Sequence, residues 1–185
     1  MTDELIRGAA GRPFSYSAVG GSRGLRAPAG FVVDHNRTRL GCGCEVFERS
    51  RQAVKEWKMF DLGWVEVADP QTPIEVGRNV AVLARLLGIY SLNLCRIVYV
   101  VDEQAGGVER FGFAYGTLDE HAESGEERFT VEFHRDTGDV WYDLFAFSRP
   151  AHPLVRLGYP YARALQRSFV RDSLAAMRRA VSGVS

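Results

Sequence analysis

The sequence predicts an α+β domain in which a curved antiparallel β-sheet wraps around a long C-terminal helix. Three observations carry this expectation. Strand-like segments follow one another through the middle of the chain with no helix between them, which excludes alternating βαβ order and its parallel sheet. Apolar residues then recur at helical spacing from about Pro160 to Val181. Finally, 185 residues suit one domain, long enough to bury roughly 70% of its unfolded surface without metal or disulfide staples.

Residues 1–30 are rich in Gly, Ala, Ser and Pro and read as an irregular lead-in, with Phe14, Tyr16 and Val19 as docking residues. The single domain then spans 31–185. A first strand is expected over Phe31–Gly41. Glu45–Phe60 reads as a helix, because Val46, Ser50, Ala53, Trp57 and Phe60 keep three-and-four spacing, and Gly63 follows as a stop. Short apolar runs follow at Trp64–Val67 and Val76–Leu87. Ser91–Val101 has apolar residues on both faces, with Leu92, Leu94, Arg96, Val98 and Val100 sharing one of them. Gln104–Gly107 is a turn. Glu109–Thr117 sets Phe111, Phe113 and Tyr115 against Gly112, Ala114 and Gly116, whose small size permits sharp curvature or close approach. Asp119–Glu127 reads as an acidic loop. Arg128–His134 alternates cleanly, Asp136-Thr137-Gly138 is a hairpin turn, and Val140–Phe147 is the last strand. Pro153 and Pro160 each suit a first helical position, so a short helix is expected before the long one.

Lys+Arg and Asp+Glu both number 23, so the formal charge is zero, which argues against a nucleic-acid binder. No apolar run approaches the ~20 residues of a membrane span, and the start lacks a signal-peptide pattern. The three cysteines Cys42, Cys44 and Cys95 fit a reducing compartment, so a cytoplasmic protein with no integral membrane association is expected. The neutrality is not uniform. The loop at 119–127 is acidic, whereas Arg163, Arg167, Arg171, Arg178 and Arg179 make the final helix basic.

The element order resembles the helix-grip fold of START-like and birch-pollen-allergen-like proteins. Leu40-Gly41-Cys42-Gly43, Trp57-Lys58-Met59-Phe60 and Gly63-Trp64 are similar to motifs of uncharacterised protein family 0548. So are Phe111–Leu118, Ser124–Phe129, Ser148-Arg149-Pro150, Tyr159-Pro160 and the helix from Arg163 through Gln166 to Met177. The resemblance covers nearly the whole chain and implies the fold. It assigns no activity and no catalytic residue.

Gly41-Cys42-Gly43 lacks the third glycine and the βαβ context of a dinucleotide fingerprint. Cys42-x-Cys44 has no second pair with which to close a zinc site, so neither metal nor cofactor is expected. The histidines His35, His121, His134 and His152 show no ligand spacing. Among the acids, Glu127 is best placed to point inward, where desolvation tunes a carboxyl for acid–base work. Arg96 shares a face with four apolar residues. If that face lines a cavity, Arg96 needs a carboxylate from the protein or a ligand; the alternative is an outward-facing edge. Trp57, Trp64, Phe113, Tyr115 and Trp141 are core filler or the walls of a pocket.

The expected function is binding of a small hydrophobic, lipid-like or aromatic ligand in an internal apolar pocket lined by Trp57, Trp64, Arg96, Phe113, Tyr115, Glu127 and Trp141. One alternative is an enzyme using the same cavity with an acid–base carboxylate. Another is a homodimeric interaction module built on the basic last helix, which an apolar patch near Trp141 and Phe145 would favour.

Overall fold

The structure is a computed structural model that describes residues 6, 8–86, 88–119, 123–151 and 159–183. Strand β1 is Val32–Cys42, followed by helix α1 (Cys44–Lys55) and a 3-10 turn at Lys58–Phe60. Six strands follow: β2 (Val65–Val67), β3 (Asn79–Leu86), β4 (Ile89–Ala105), β5 (Val108–Thr117), β6 (Glu123–His134) and β7 (Asp139–Pro150). Helix α2 (Tyr159–Ser182) ends the chain. The strands form one curled antiparallel sheet in the order β1-β7-β6-β5-β4-β3-β2, so the first strand closes onto the last. The expected fold class is the observed one. Among the described residues no helix is long and apolar enough to cross a membrane.

Local chemistry moves three boundaries from their expected places and exchanges the faces of one strand. The first helix stops at Lys55, short of Phe60, because Trp57 turns left-handed (φ 57°, ψ 27°) and restarts the chain as a 3-10 turn. The strand expected to end at Val101 runs to Ala105, and its hairpin is the two-residue Gly106-Gly107 turn. Both glycines have positive φ (59° and 78°), the geometry that matches strand twist. The stretch read as an acidic loop is strand from Glu123 onward, since Ser124 to Glu127 pair with both β5 and β7 or with β7 alone. A bulge between Ile97 and Tyr99 breaks the period of two in β4, so Val100 faces the same side as Ile97. The expected short helix at Pro153, along with Glu120, His121, His152 and Arg156, lies outside the described residues.

The concave face carries the core. Phe47 and Val54 of α1, Met177 of α2, and Phe113, Phe129 and Tyr142 of the sheet are buried together. Phe60 joins these layers, with ring centroids 5.3 Å from Phe129 and 5.5 Å from Phe169 of α2.

The convex face is covered by the lead-in. Phe14 bridges to Leu118, and Tyr16 packs with Phe145 and Phe147. Phe31 meets Phe147 edge-on at 5.4 Å. Phe145 is therefore buried, and the apolar patch that would have favoured a dimer is already occupied by the chain itself. Glu126 pins the strap from the sheet side. Its carboxyl accepts hydrogen bonds from Tyr16 Oη (2.6 Å), Gly20 N (2.7 Å), Ser22 N (2.9 Å) and Ser22 Oγ. Gly116 makes room for this contact, because a Cβ there would lie 2.0 Å from Tyr16 Oη.

Replacing Glu126 with alanine leaves four donors without their acceptor. Glu126→Ala is expected to lower stability by about 3 kcal/mol in denaturant titration. It is also expected to speed amide exchange in residues 16–25. Unchanged exchange in that segment would remove Glu126 as its anchor.

Candidate functional site

Side-chain size runs in one direction along the concave face. On β5 the inward residues pass from Phe111 and Phe113 through Tyr115 to Thr117. On β6 they pass from Phe133 and Phe129 through Glu127 to Gly125, and on β7 from Tyr142 and Leu144 through Ala146 to Ser148. The strands are paired, so the large residues meet at one end and fill it, as Phe47 stacking on Phe133 at 5.7 Å illustrates. The small residues meet at the other end. There the wall cannot reach α2, and a cavity of about 300 Å³ remains. Leu165, Phe169 and Val170 of α2 face the sheet across it, with Phe60 at the filled end. Its walls are mostly apolar. Two other depressions are lined largely by charged side chains.

Two polar groups meet inside. Tyr115 Oη donates to Glu127 Oε2 at 2.8 Å, from adjacent strands in direct register. Burial pushes the Glu127 carboxyl up to about 8, against the pull of the Tyr115 hydrogen bond and with help from the nearby acids Glu123 and Asp34. The surface Glu127 keeps is turned to the cavity it lines. Burial likewise raises the Tyr115 phenol, with Glu127 adding to it, and raises the Cys95 thiol beside them. All three are therefore protonated near neutral pH.

A second polar group set lies where α2 meets β1, β6 and β7. Arg163 grips Asp34 with two bonds of 2.6 and 2.8 Å and also donates to Gln166 Oε1 at 2.6 Å. Gln166 Nε2 donates to Glu123 Oε2 and to Ser148 Oγ at 3.1 Å. Burial raises the Glu123 carboxyl, opposed by its bonds to Gln166 and Ser148. This network ties the helix to the β1-β7-β6 end of the sheet beside the cavity.

The structure brings three of the expected residues to the cavity: Trp64, Tyr115 and Glu127. Trp64 is also fastened to α2, donating through Nε1 to Asp172 at 3.0 Å. Trp57 and Phe113 are core instead, 4.8 Å apart and 2% and 0% exposed. Trp141 lies on the convex face with the Arg37 guanidinium 5.1 Å from its ring. Arg96 is convex too, which corrects the reading that placed it in the cavity. It bonds Asn79 Oδ1 (2.8 Å) and the carbonyls of Arg12 (2.9 Å) and Ala9 (2.7 Å), clasping the lead-in to the sheet. The β4 bulge is the reason the grouping failed: Arg96 and Val100 belong to opposite faces. Sequence reasoning missed Asp34, Cys95, Glu123 and Gln166. The signal that could have found the cavity end is the fall from aromatic to small residues along three successive strands.

The sequence model of a family described as "Domain of unknown function (DUF1990)" matches residues 15–176. A UPF0548 protein of Dictyostelium discoideum is 43% identical over 158 residues, 82% of this chain and 73% of that protein. A UPF0548 protein of Arabidopsis thaliana is 36% identical over 155 residues, 83% of this chain and 75% of that protein. Among solved structures, TTHA0849 from Thermus thermophilus is similar in fold, with TM-score 0.51 and 14% identity over 83% of this chain and 99% of that one.

The raised Glu127 carboxyl has a measurable consequence. An acid that is harder to ionise when folded holds an extra proton between its ordinary value of 4.5 and its folded value of about 8. Its contribution is complete below the lower value and is lost as pH rises through the upper one, by up to about 1.4 kcal/mol per pH unit. Glu127→Gln is therefore expected to match wild type in denaturant titrations at about pH 5 and to exceed it progressively toward pH 8. Parallel stability profiles for the two proteins would contradict the desolvated carboxyl.

Proposed function

The chain belongs to the DUF1990 family, a domain of unknown function, and from that premise we propose that it binds a small lipid-like or aromatic molecule in the cavity between sheet and helix. The single observation that carries this reading is a mostly apolar cavity with a buried hydrogen-bonded pair, Tyr115 and Glu127, set in its wall. Sites for small molecules have this composition: apolar surface supplies affinity and a few placed polar groups fix orientation. At about 300 Å³ the cavity is at the small end of such sites, so its ligand is compact rather than a long-chain lipid. The aromatic walls Phe60, Trp64 and Phe169 suit a flat ring.

A second reading uses the same pair. A carboxyl held near 8 beside a phenol is poised to exchange a proton with a bound molecule at neutral pH, which is what acid–base catalysis requires. Recovery of an altered ligand from wild type, and of an unaltered one from Glu127→Gln, would favour it over binding alone.

The binding reading is tested with N-phenylnaphthylamine, an uncharged probe that brightens in apolar surroundings. Wild type is expected to enhance its emission saturably, and Ala146→Phe, which fills the cavity, to reduce the affinity at least about tenfold. Equal enhancement by both would place the probe elsewhere and count against the cavity.

A further inference from the structure

Glu127 has one oxygen occupied and one available. Tyr115 takes Oε2. Oε1 carries no hydrogen bond among the described residues, and the carboxyl borders the cavity. The charged groups that act on it are Glu123 and Asp34, both acids. Among the described residues no Lys, Arg or His lines the cavity. An anionic ligand would find no cation in the wall to receive it, and a neutral apolar ligand would leave Oε1 without a partner in an apolar wall.

We propose that the molecule bound in the cavity is an amine: an apolar, ring-sized body carrying one protonated nitrogen that donates to Glu127. This rests on the ligand-binding reading above and specifies its chemical class. An ammonium group brings three donors and the charge that the wall lacks. In apolar surroundings the resulting ion pair, with its hydrogen bonds, is strong. Tyr115 holds the carboxyl in place by its bond to Oε2, so the accepting oxygen keeps a fixed direction.

The proton balance follows. Near pH 7 the empty site holds the carboxylic acid, with its pKa of about 8. The ammonium ligand enters with its own protons, the Glu127 proton leaves to solvent, and ammonium and carboxylate remain paired. Amine affinity therefore rises with pH until about 8 and then levels. The groups facing Glu127 are Tyr115 on β5, Cys95 on β4, Tyr142 on β7, Asp34 on β1 and Glu123 on β6, with Arg163 of α2 bound to Asp34. Burial keeps the two phenols and the thiol protonated through this range. Glu123 also titrates upward, so the Glu127→Gln variant is what assigns the effect.

The test is calorimetric titration with naphthylethylamine, naphthylethanol and naphthylacetic acid, which share a ring and differ in charge. Wild type at about pH 7.5 is expected to bind the amine at least about tenfold more tightly than the alcohol, and the acid more weakly than either. Amine binding near pH 7, repeated in buffers of different ionisation enthalpy, is expected to release up to one proton. Glu127→Gln is expected to lose the preference for the amine while keeping the alcohol within about threefold. Equal binding of amine and alcohol, or tightest binding of the acid, would overturn the amine assignment and leave the cavity as a neutral site. Binding of none of the three, or binding unaffected by Ala146→Phe, would overturn the ligand-binding reading itself and the amine assignment with it. The wild-type ratio and the proton release decide the matter even if Glu127→Gln fails to fold.

Discussion

The packing of Phe60 is the contact on which the rest of the interior depends. The left-handed turn at Trp57 swings it off the line of α1. It then lies against Tyr115 and Phe129 of the sheet and Phe169 of α2, with centroids 6.0, 5.3 and 5.5 Å away. One ring therefore fixes the separation between sheet and helix. On one side of it, aromatic residues fill that separation; on the other, residues as small as Gly125, Ala146 and Ser148 leave it open. The cavity is the consequence of a spacing set by large residues at one end and maintained over small residues at the other.

Two consecutive acids show how the sheet divides labour between its faces. Successive strand residues point to opposite sides, so Glu126 and Glu127 separate completely. Glu126 goes outward, where backbone and side-chain donors of the lead-in surround it, and its role is structural. Glu127 goes inward, where the Tyr115 phenol donates to it among apolar side chains, two further acids, the Tyr142 phenol and the Cys95 thiol. Arg96 makes the same point from β4, since on the convex face it binds backbone carbonyls of the lead-in. On the convex side Glu126 and Arg96 hold the strap, whereas Glu127 stands in the wall of the cavity.

Most of the fold was legible because it depends on periodicity. Clean alternation in β6 and the helical spacing of α2 each survive into the structure with their faces as expected. What was not legible depends on single residues that break a period. The bulge after Ile97 exchanged the faces of β4, and with them the assignment of Arg96. The left-handed Trp57 ended a helix whose apolar spacing continued to Phe60. Glu127, Tyr115 and Trp64 were readable as inward polar or aromatic groups. Asp34, Glu123 and Gln166 were not, because they meet only when β1 closes onto β7 and α2 crosses both. No local pattern encodes that closure.

The proposed binding depends first on open space at the small-residue end of the concave face. The most direct measurement is a crystal of the protein pressurised with xenon, which occupies dry apolar cavities and leaves filled cores alone. Xenon is expected between Ala146, Phe60 and Phe169, within reach of the Glu127–Tyr115 pair. A crystal with no xenon there, and with Leu165 and Phe169 collapsed onto the sheet, would contradict it.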